Sequence, residues 1–291
     1  MKKINIFCFG FGQVAKNFIK KINFENINVN LTVTTREKSM KKKFDNINYY
    51  NYQFSEDNFD VNLIDSLKKS DHILVSIPPV NGVDIVLKKF HSYIEKNNTK
   101  WITYLSATSI YGDHKGKWVN ESSKADPKFQ NGIDRLKAEK SWMKLSNIKN
   151  LPIQIFRLSG IYSNERNILL RLKSGKAKII NKKNHCFSRI HVEDIATLLF
   201  KSLKIFKTKE VYNISDDRPA PSEEVALYGI KLLGISKPKS VQIGDLENGM
   251  LKNFYLESKK VSNQKMKTFF NYNLKFPTYV EGLNYINNNF I

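Results

Sequence analysis

Cysteine is nearly absent from this 291-residue chain, occurring only at Cys8 and Cys186. Two thiols so far apart make neither a disulfide framework nor a metal-ligand spacing, so a reduced, cytoplasmic setting and no metal centre are expected. No apolar run approaches the ~18 residues of a membrane-spanning helix. The opening MKKINIFCFGFGQVA has the lysines of a secretory leader, but its apolar run is only about six residues, below the ~7–15 of a leader core. It reads instead as a buried first strand. Acid is in the minority, with 27 Asp and Glu against 48 Lys and Arg and a net charge of +21. The lysines are scattered (KKKF, LKKS, VLKKF, INKKN), with no stripe and no aromatic stacking platform. The charge therefore reads as solvated surface, and neither nucleic acid nor a membrane is an expected partner. Arginine is scarce, at seven of the 48, so each one is worth inspecting for its planar, bidentate fork.

What the chain has is alternation. INIFCFG reads as a strand, QVAKNFIKKI as a helix, and NVNLTVTT and INYYNYQF as the next two strands. HILVSIPP and WITYLSATSIYG follow, with the helical VDIVLKKFHSYIEKN between them. A helix from Gly132 to Leu145 leads into LPIQIFRLSGIY, and EVYNIS closes the sheet. Nearly continuous Val, Ile, Leu and Phe in these strands predicts an α/β fold, a Rossmann-like doubly wound parallel sheet covered on both faces. Beyond Ser163 the pattern loosens, which predicts a small C-terminal substrate lobe. The expected boundaries are 1–162 with 187–214 for the sheet domain and 163–186 with 215–291 for the lobe.

GFGQVA lies at the first strand–helix junction. Gly10 permits a tight turn, Gly12 lets backbone N–H groups approach a pyrophosphate, and Ala15 allows close helix packing. In that position G-x-G-x-x-A signals a dinucleotide site, with Phe11, Gln13 and Val14 completing the turn. TVTTREK ends the second strand with Arg36 and Lys38, where an NAD-binding chain usually carries acid. A cation there suits a 2′-phosphate, so NADP is the expected cofactor, with NAD the alternative. One charge-assisted hydrogen bond contributes roughly 1.5–3 kcal/mol, a preference of about ten- to a hundredfold. In VSIPPVNG the prolines hold an extended backbone along which Ile77 and Pro78 could line the adenosine, or serve as a plain loop. Arg157 and Arg189 end apolar segments and suit a phosphate or carboxylate. An anionic small-molecule substrate is thus expected, with Arg189 the better candidate. His191 and Asp194 read as a capping unit, and Ser222 with Glu223 and Glu224 as a helix start.

YLSATSIYGDHKGKWVNE resembles the end of strand five in the extended short-chain dehydrogenase/reductase family, the sugar-nucleotide epimerases and dehydratases. RLSGIYS, SRIHVEDIA, YNISDDRPAPSEEV and the closing KKVSNQKM to YVEGL extend the match over the whole chain. They are most similar to the atypical NAD-dependent epimerase/dehydratase branch. The resemblance implies an NADP(H)-dependent epimerase, dehydratase or reductase. The family's catalytic set is a Ser or Thr after strand five and Tyr-x-x-x-Lys on the next helix. Aligning on IYG puts Ala107 at the Ser/Thr position, between Ser106 and Thr108. Aligning on the Ala-Glu pair puts Asn131 at the Tyr position and Arg135 at the Lys position. Asn131 cannot relay a proton, whereas Arg135 can hold the nicotinamide ribose without ever releasing one. Candidates for chemistry are Ser106, Thr108, Tyr111 and Arg135, with Ser106 and Arg135 also expected at the cofactor and Asp113 and His114 close by. Tyr111 is expected more in packing than as a proton donor. Losing all three family groups also fits a non-catalytic NADP(H) sensor or assembly protein. A homodimer is open under either expectation.

Overall fold

In the computed structural model, residues 3–180, 182, 185–247 and 249–291 are described. β1 (Ile4–Phe9) buries its last four residues completely, as a strand covered on both faces must. It turns into α1 (Gln13–Phe24), which buries Val14, Ala15, Phe18, Ile19 and Ile22 along one stripe. β2 (Val29–Thr35), β3 (Met40–Phe44) and β4 (Ile47–Gln53) follow, then α2 (Leu63–Lys68), β5 (His72–Val75), α3 (Ile85–Glu95) and β6 (Trp101–Ala107). A short β7 (Trp118–Val119) precedes α4 (Gln130–Lys149), which outruns the expected 132–145 at both ends, and β8 (Ile153–Leu158). Next come β9 (Gly160–Tyr162), α5 (Ile168–Lys173), β10 (Ile179–Ile180), β11 (Arg189–His191), α6 (Val192–Ser202) and β12 (Glu210–Ile214). The C-terminal stretch holds α7 (Ser222–Leu233), β13 (Ser240–Val241), α8 (Met250–Leu256), β14 (Lys260–Val261), α9 (Gln264–Phe270) and α10 (Tyr279–Phe290).

The main sheet has eight strands in the order β12-β8-β6-β5-β1-β2-β4-β3. β1 pairs in parallel with β2 and β5, β2 with β4, and β5 with β6. The order reverses between β1 and β5, and in open sheets of this kind the crevice outside the carboxyl ends at that reversal takes the ligand. The lysine run KKKF lies on β3, antiparallel to β4 from Met40 opposite Asn51 to Phe44 opposite Ile47, with Lys41 and Lys43 exposed. Lysines suit an edge strand because they keep its unpaired N–H and C=O groups from recruiting another chain.

The chain divides into two compact units, 1–107 with 133–157 and 195–211, and 108–132 with 158–194 and 212–291. The second is wider than the expected lobe, because it also takes in 108–132, 158–162, 187–194 and 212–214. In the first unit Phe7, Phe9, Ile73, Phe90, Tyr104, Trp142 and Ile153 belong to one core. In the second, Tyr162, Leu169, Val225, Tyr279, Leu283 and Ile286 form another, where α7 packs against α5 and α10. Among the described residues no helix is long and apolar enough to cross a membrane.

Candidate functional site

The β1–α1 turn holds an unusual backbone in place. Gly10 has φ +88°, and a Cβ there would lie 2.7 Å from the Ser76 hydroxyl, so only glycine fits. Its N–H donates to Thr34 Oγ1 at 3.1 Å, and Ser76 Oγ donates to the carbonyls of Phe9 and Gly10 at 3.0 and 3.2 Å. The turn is thus fastened from β2 on one side and from the end of β5 on the other. A Cβ on Gly12 would meet nothing within 4 Å, so the space beside it is open. Gly12 caps α1 without a side-chain hydrogen bond, and no acid occupies the first turn. Such a helix start presents N–H groups and a positive dipole end to an anion. Phe11 points its ring elsewhere, against Phe44 and Tyr49 at 5.3 and 5.2 Å, so it can offer only backbone to a ligand.

At the tip of β2, Arg36 is exposed and makes no ion pair among the described residues. The residues that follow are tethered. The Glu37 N–H donates to Thr35 Oγ1, the Lys38 carbonyl accepts from Asn51 Nδ2 at 3.1 Å, and Ser39 Oγ accepts from the Gln53 N–H. The Glu37 carboxylate pairs with Lys42 on β3, which holds it below the usual carboxylate range. Beyond β5, Ile77 is half-buried beside Gly10 and Pro78 is exposed.

At the end of β6, Ser106 is buried and its hydroxyl has no hydrogen-bond partner. Arg135, from α4, donates to the neighbouring Leu105 carbonyl at 2.6 Å. Asp84 accepts from the Val86 and Leu87 N–H groups and the Trp142 indole N–H. Burial pushes its carboxyl up against those bonds and the pull of Arg135. Asn131 is exposed, and its amide oxygen accepts from the Gly132 N–H.

Arg157 requires a correction. Expected to bind substrate, it is 10% exposed and directs its fork at Glu139, with Nη2 2.8 Å and Nε 3.1 Å from Oε2. Glu139 is 4% exposed, and a buried carboxylate needs such a partner. In the second unit Thr108 is buried, and Tyr111 is fully buried with its hydroxyl donating to Asn213 Oδ1 at 2.7 Å. Acting as a proton donor would require breaking that bond. Asp113 accepts from the Lys115 and Ser258 N–H groups, and His114 Nε2 lies 3.1 Å from the Tyr111 and Lys124 carbonyls, so both are engaged within the unit.

Arg189 stands on β11. Its Nη1 donates to the Phe187 and Ala220 carbonyls at 2.9 and 3.0 Å, and Nη2 to Ser222 Oγ at 3.3 Å. These acceptors are all neutral, and no carboxylate lies within ion-pair distance among the described residues. Asp216 is the acid it feels most, yet burial pushes that carboxyl well above its ordinary range. His191 is held neutral, burial and Lys275 lowering it to about 3. Asp194 accepts from Tyr272 Oη and the Lys275 and Phe276 N–H groups, tying α6 to the segment before α10.

No protein-family model matches the chain, and no curated protein matches it. Solved structures do. A functionally unknown conserved protein from Silicibacter pomeroyi is 30% identical with a TM-score of 0.85, and the match covers 97% of each chain. The chain belongs to the same family as that protein. The fold extends further. The dTDP-glucose 4,6-dehydratase of Bacillus anthracis, solved with NAD, is 18% identical with a TM-score of 0.77 over 98% of this chain and 96% of its own. The UDP-glucose 4-epimerase of Thermotoga maritima, solved with UDP-glucose, is 16% identical with a TM-score of 0.79 over 98% of both.

Within this family member, three groups escaped the sequence reading. Thr34 and Ser76 look like ordinary strand-end residues, and only the crossing of β1 between β2 and β5 brings their hydroxyls to the Gly10 turn. Glu37 was visible beside Arg36, but its engagement by Lys42 depends on β3, which the pattern of lysines hid.

Proposed function

We propose that the chain binds a nicotinamide dinucleotide at the carboxyl ends of β1, β2, β5 and β6, preferring NADP(H) over NAD(H). It would use the cofactor as a reductase, epimerase or dehydratase on an anionic, sugar-nucleotide-like molecule. The observation that carries the reading is the β1–α1 turn, with open space at Gly12 and an uncapped helix start that suit a pyrophosphate. Backbone from Gly10, Phe11, Gly12, Gln13 and Val14 would hold it, Arg36 the 2′-phosphate, Ile77 and Pro78 the adenosine, and Ser106 and Arg135 the nicotinamide ribose. When bound, the cofactor supplies hydride transfer. The chain's part is to orient it and to place charge. Ser106 is a hydroxyl with a free valence, able to donate to a substrate carbonyl. Arg189, whose hydrogen bonds among the described residues go to neutral acceptors, is the group suited to a phosphate or carboxylate, because a sequestered guanidinium is stabilised by an anion.

Titration with NADPH and NADH tests the cofactor half. NADPH should bind about ten- to a hundredfold more tightly, and Arg36→Ala should erase the gap. An unchanged ratio in that variant would remove Arg36 from the reading.

A second reading, a non-catalytic NADP(H) sensor, is favoured by the Tyr111–Asn213 bond together with the exposed amide at Asn131. No committed proton donor then stands where the family has its Tyr. Assays of sugar nucleotides and other anionic carbonyl compounds separate the two. Turnover that falls in Ser106→Ala supports the enzyme; tight NADPH binding without turnover, and with different hydrogen exchange in NADPH and NADP⁺, supports the sensor.

A further inference from the structure

Arg36 is not alone at the tip of β2. Glu37 follows directly, and an acid in this neighbourhood of a dinucleotide fold would accept from a ribose 2′-OH and repel a 2′-phosphate. As drawn from sequence, the two side chains oppose each other and the preference is undecided. The structure separates them. Lys42, at the centre of β3, pairs with Glu37, while Arg36 has no ion pair among the described residues. β3 is itself positioned at this corner, since Phe44 on β3 and Tyr49 on β4 both pack against Phe11 of the glycine turn. Lys42 lies opposite Tyr49 in the hairpin register. The bonds of Glu37 N–H to Thr35, of the Lys38 carbonyl to Asn51 and of Ser39 to Gln53 fix the connecting loop, so Glu37 is presented to Lys42.

We propose that Lys42 is a specificity-determining residue: by engaging Glu37 it removes the acid that would favour NAD(H) and leaves Arg36 to select the 2′-phosphate. Lys42 acts through Glu37 and does not touch the dinucleotide. The inference rests on the NADP(H) reading above.

The test is a double-mutant cycle of Lys42→Met and Glu37→Gln, with Kd measured for NADPH and NADH by fluorescence titration. Both side chains are solvated, so the pair is a modest one. Lys42→Met should lower the NADPH-to-NADH preference by about two- to fivefold, mainly by weakening NADPH. The shift should shrink in high salt and disappear in the Glu37→Gln background, where there is no acid to release. Glu37→Gln alone should keep or raise the preference. An equal shift in the Glu37→Gln background would overturn the proposal, since Lys42 would then act as a bare charge. A wild-type protein without NADPH preference would overturn both this inference and the cofactor reading; an intact preference untouched by Lys42→Met would sink this inference alone.

Discussion

The two units differ in how they hold the side chains singled out as candidates. In the first, the loops at the carboxyl ends of the strands leave groups available: Gly12 borders open space, and among the described residues Ser106 has an unpartnered hydroxyl and Arg36 no ion pair. In the second, several side chains that could do chemistry are held within the unit. Tyr111 is bonded to Asn213, Asp194 to Tyr272 and two backbone N–H groups, and His191 is kept neutral by burial. Arg189 is anchored by carbonyls and, among the described residues, has no carboxylate within ion-pair distance. Residue types that suggest catalysis in a sequence therefore divide by environment.

The largest expected effect tests which side of that line Arg157 falls on. Arg157→Met should cost about 3–5 kcal/mol, because it strands Glu139 as a buried charge. Urea unfolding measures it. A variant of wild-type stability that loses affinity for an anionic ligand would return Arg157 to the substrate site.

Much of this was legible in the sequence. The continuous apolar runs of β1, β5 and β6 and the glycines between β1 and α1 are local signals, so the parallel sheet and the tight β1–α1 turn could be read directly. Partnerships across the chain could not. Arg157 and Glu139 lie on β8 and α4, 18 residues apart, and nothing in RLSG or KAEK announces their pairing. The lysine-rich β3 carries no apolar alternation because an edge strand needs little. The boundary of the second unit was placed too late because the chain enters it at Thr108, directly after β6 and without a linker signal.

A middle-sized effect is expected at Tyr111. Phenylalanine there leaves Asn213 without its buried donor and should cost about 1–3 kcal/mol. Thermal unfolding should register the loss while dinucleotide affinity stays unchanged. Reduced turnover at unchanged Tm would instead make the hydroxyl catalytic.

The third effect is a slope, spread over the acid range. His191 is depressed in the folded protein to about 3, against an unfolded value near 6.5. Between those values the unfolded chain binds a proton that the native protein refuses, so stability should fall as pH drops from about 6.5 toward 3. The contribution is on the order of 1 kcal/mol per pH unit. His191→Phe should flatten the curve in that window and leave it unchanged above pH 7. Parallel curves would mean that the imidazole is more accessible than its packing against Tyr162 and Phe276 implies.

The interleaving of the units bears on how the protein is made. Residues 1–107 deliver β1 through β6 in one continuous piece, but β8 and β12 arrive only after long stretches that belong elsewhere. During synthesis β6, whose residues from Trp101 to Ser106 are all buried in the finished sheet, must wait as an open apolar edge until β8 leaves the ribosome. An edge of that kind invites pairing with other chains. A chaperone that shields nascent strands should therefore raise the yield of this protein, and a chain cut between β6 and β8 should aggregate rather than persist as a half-domain.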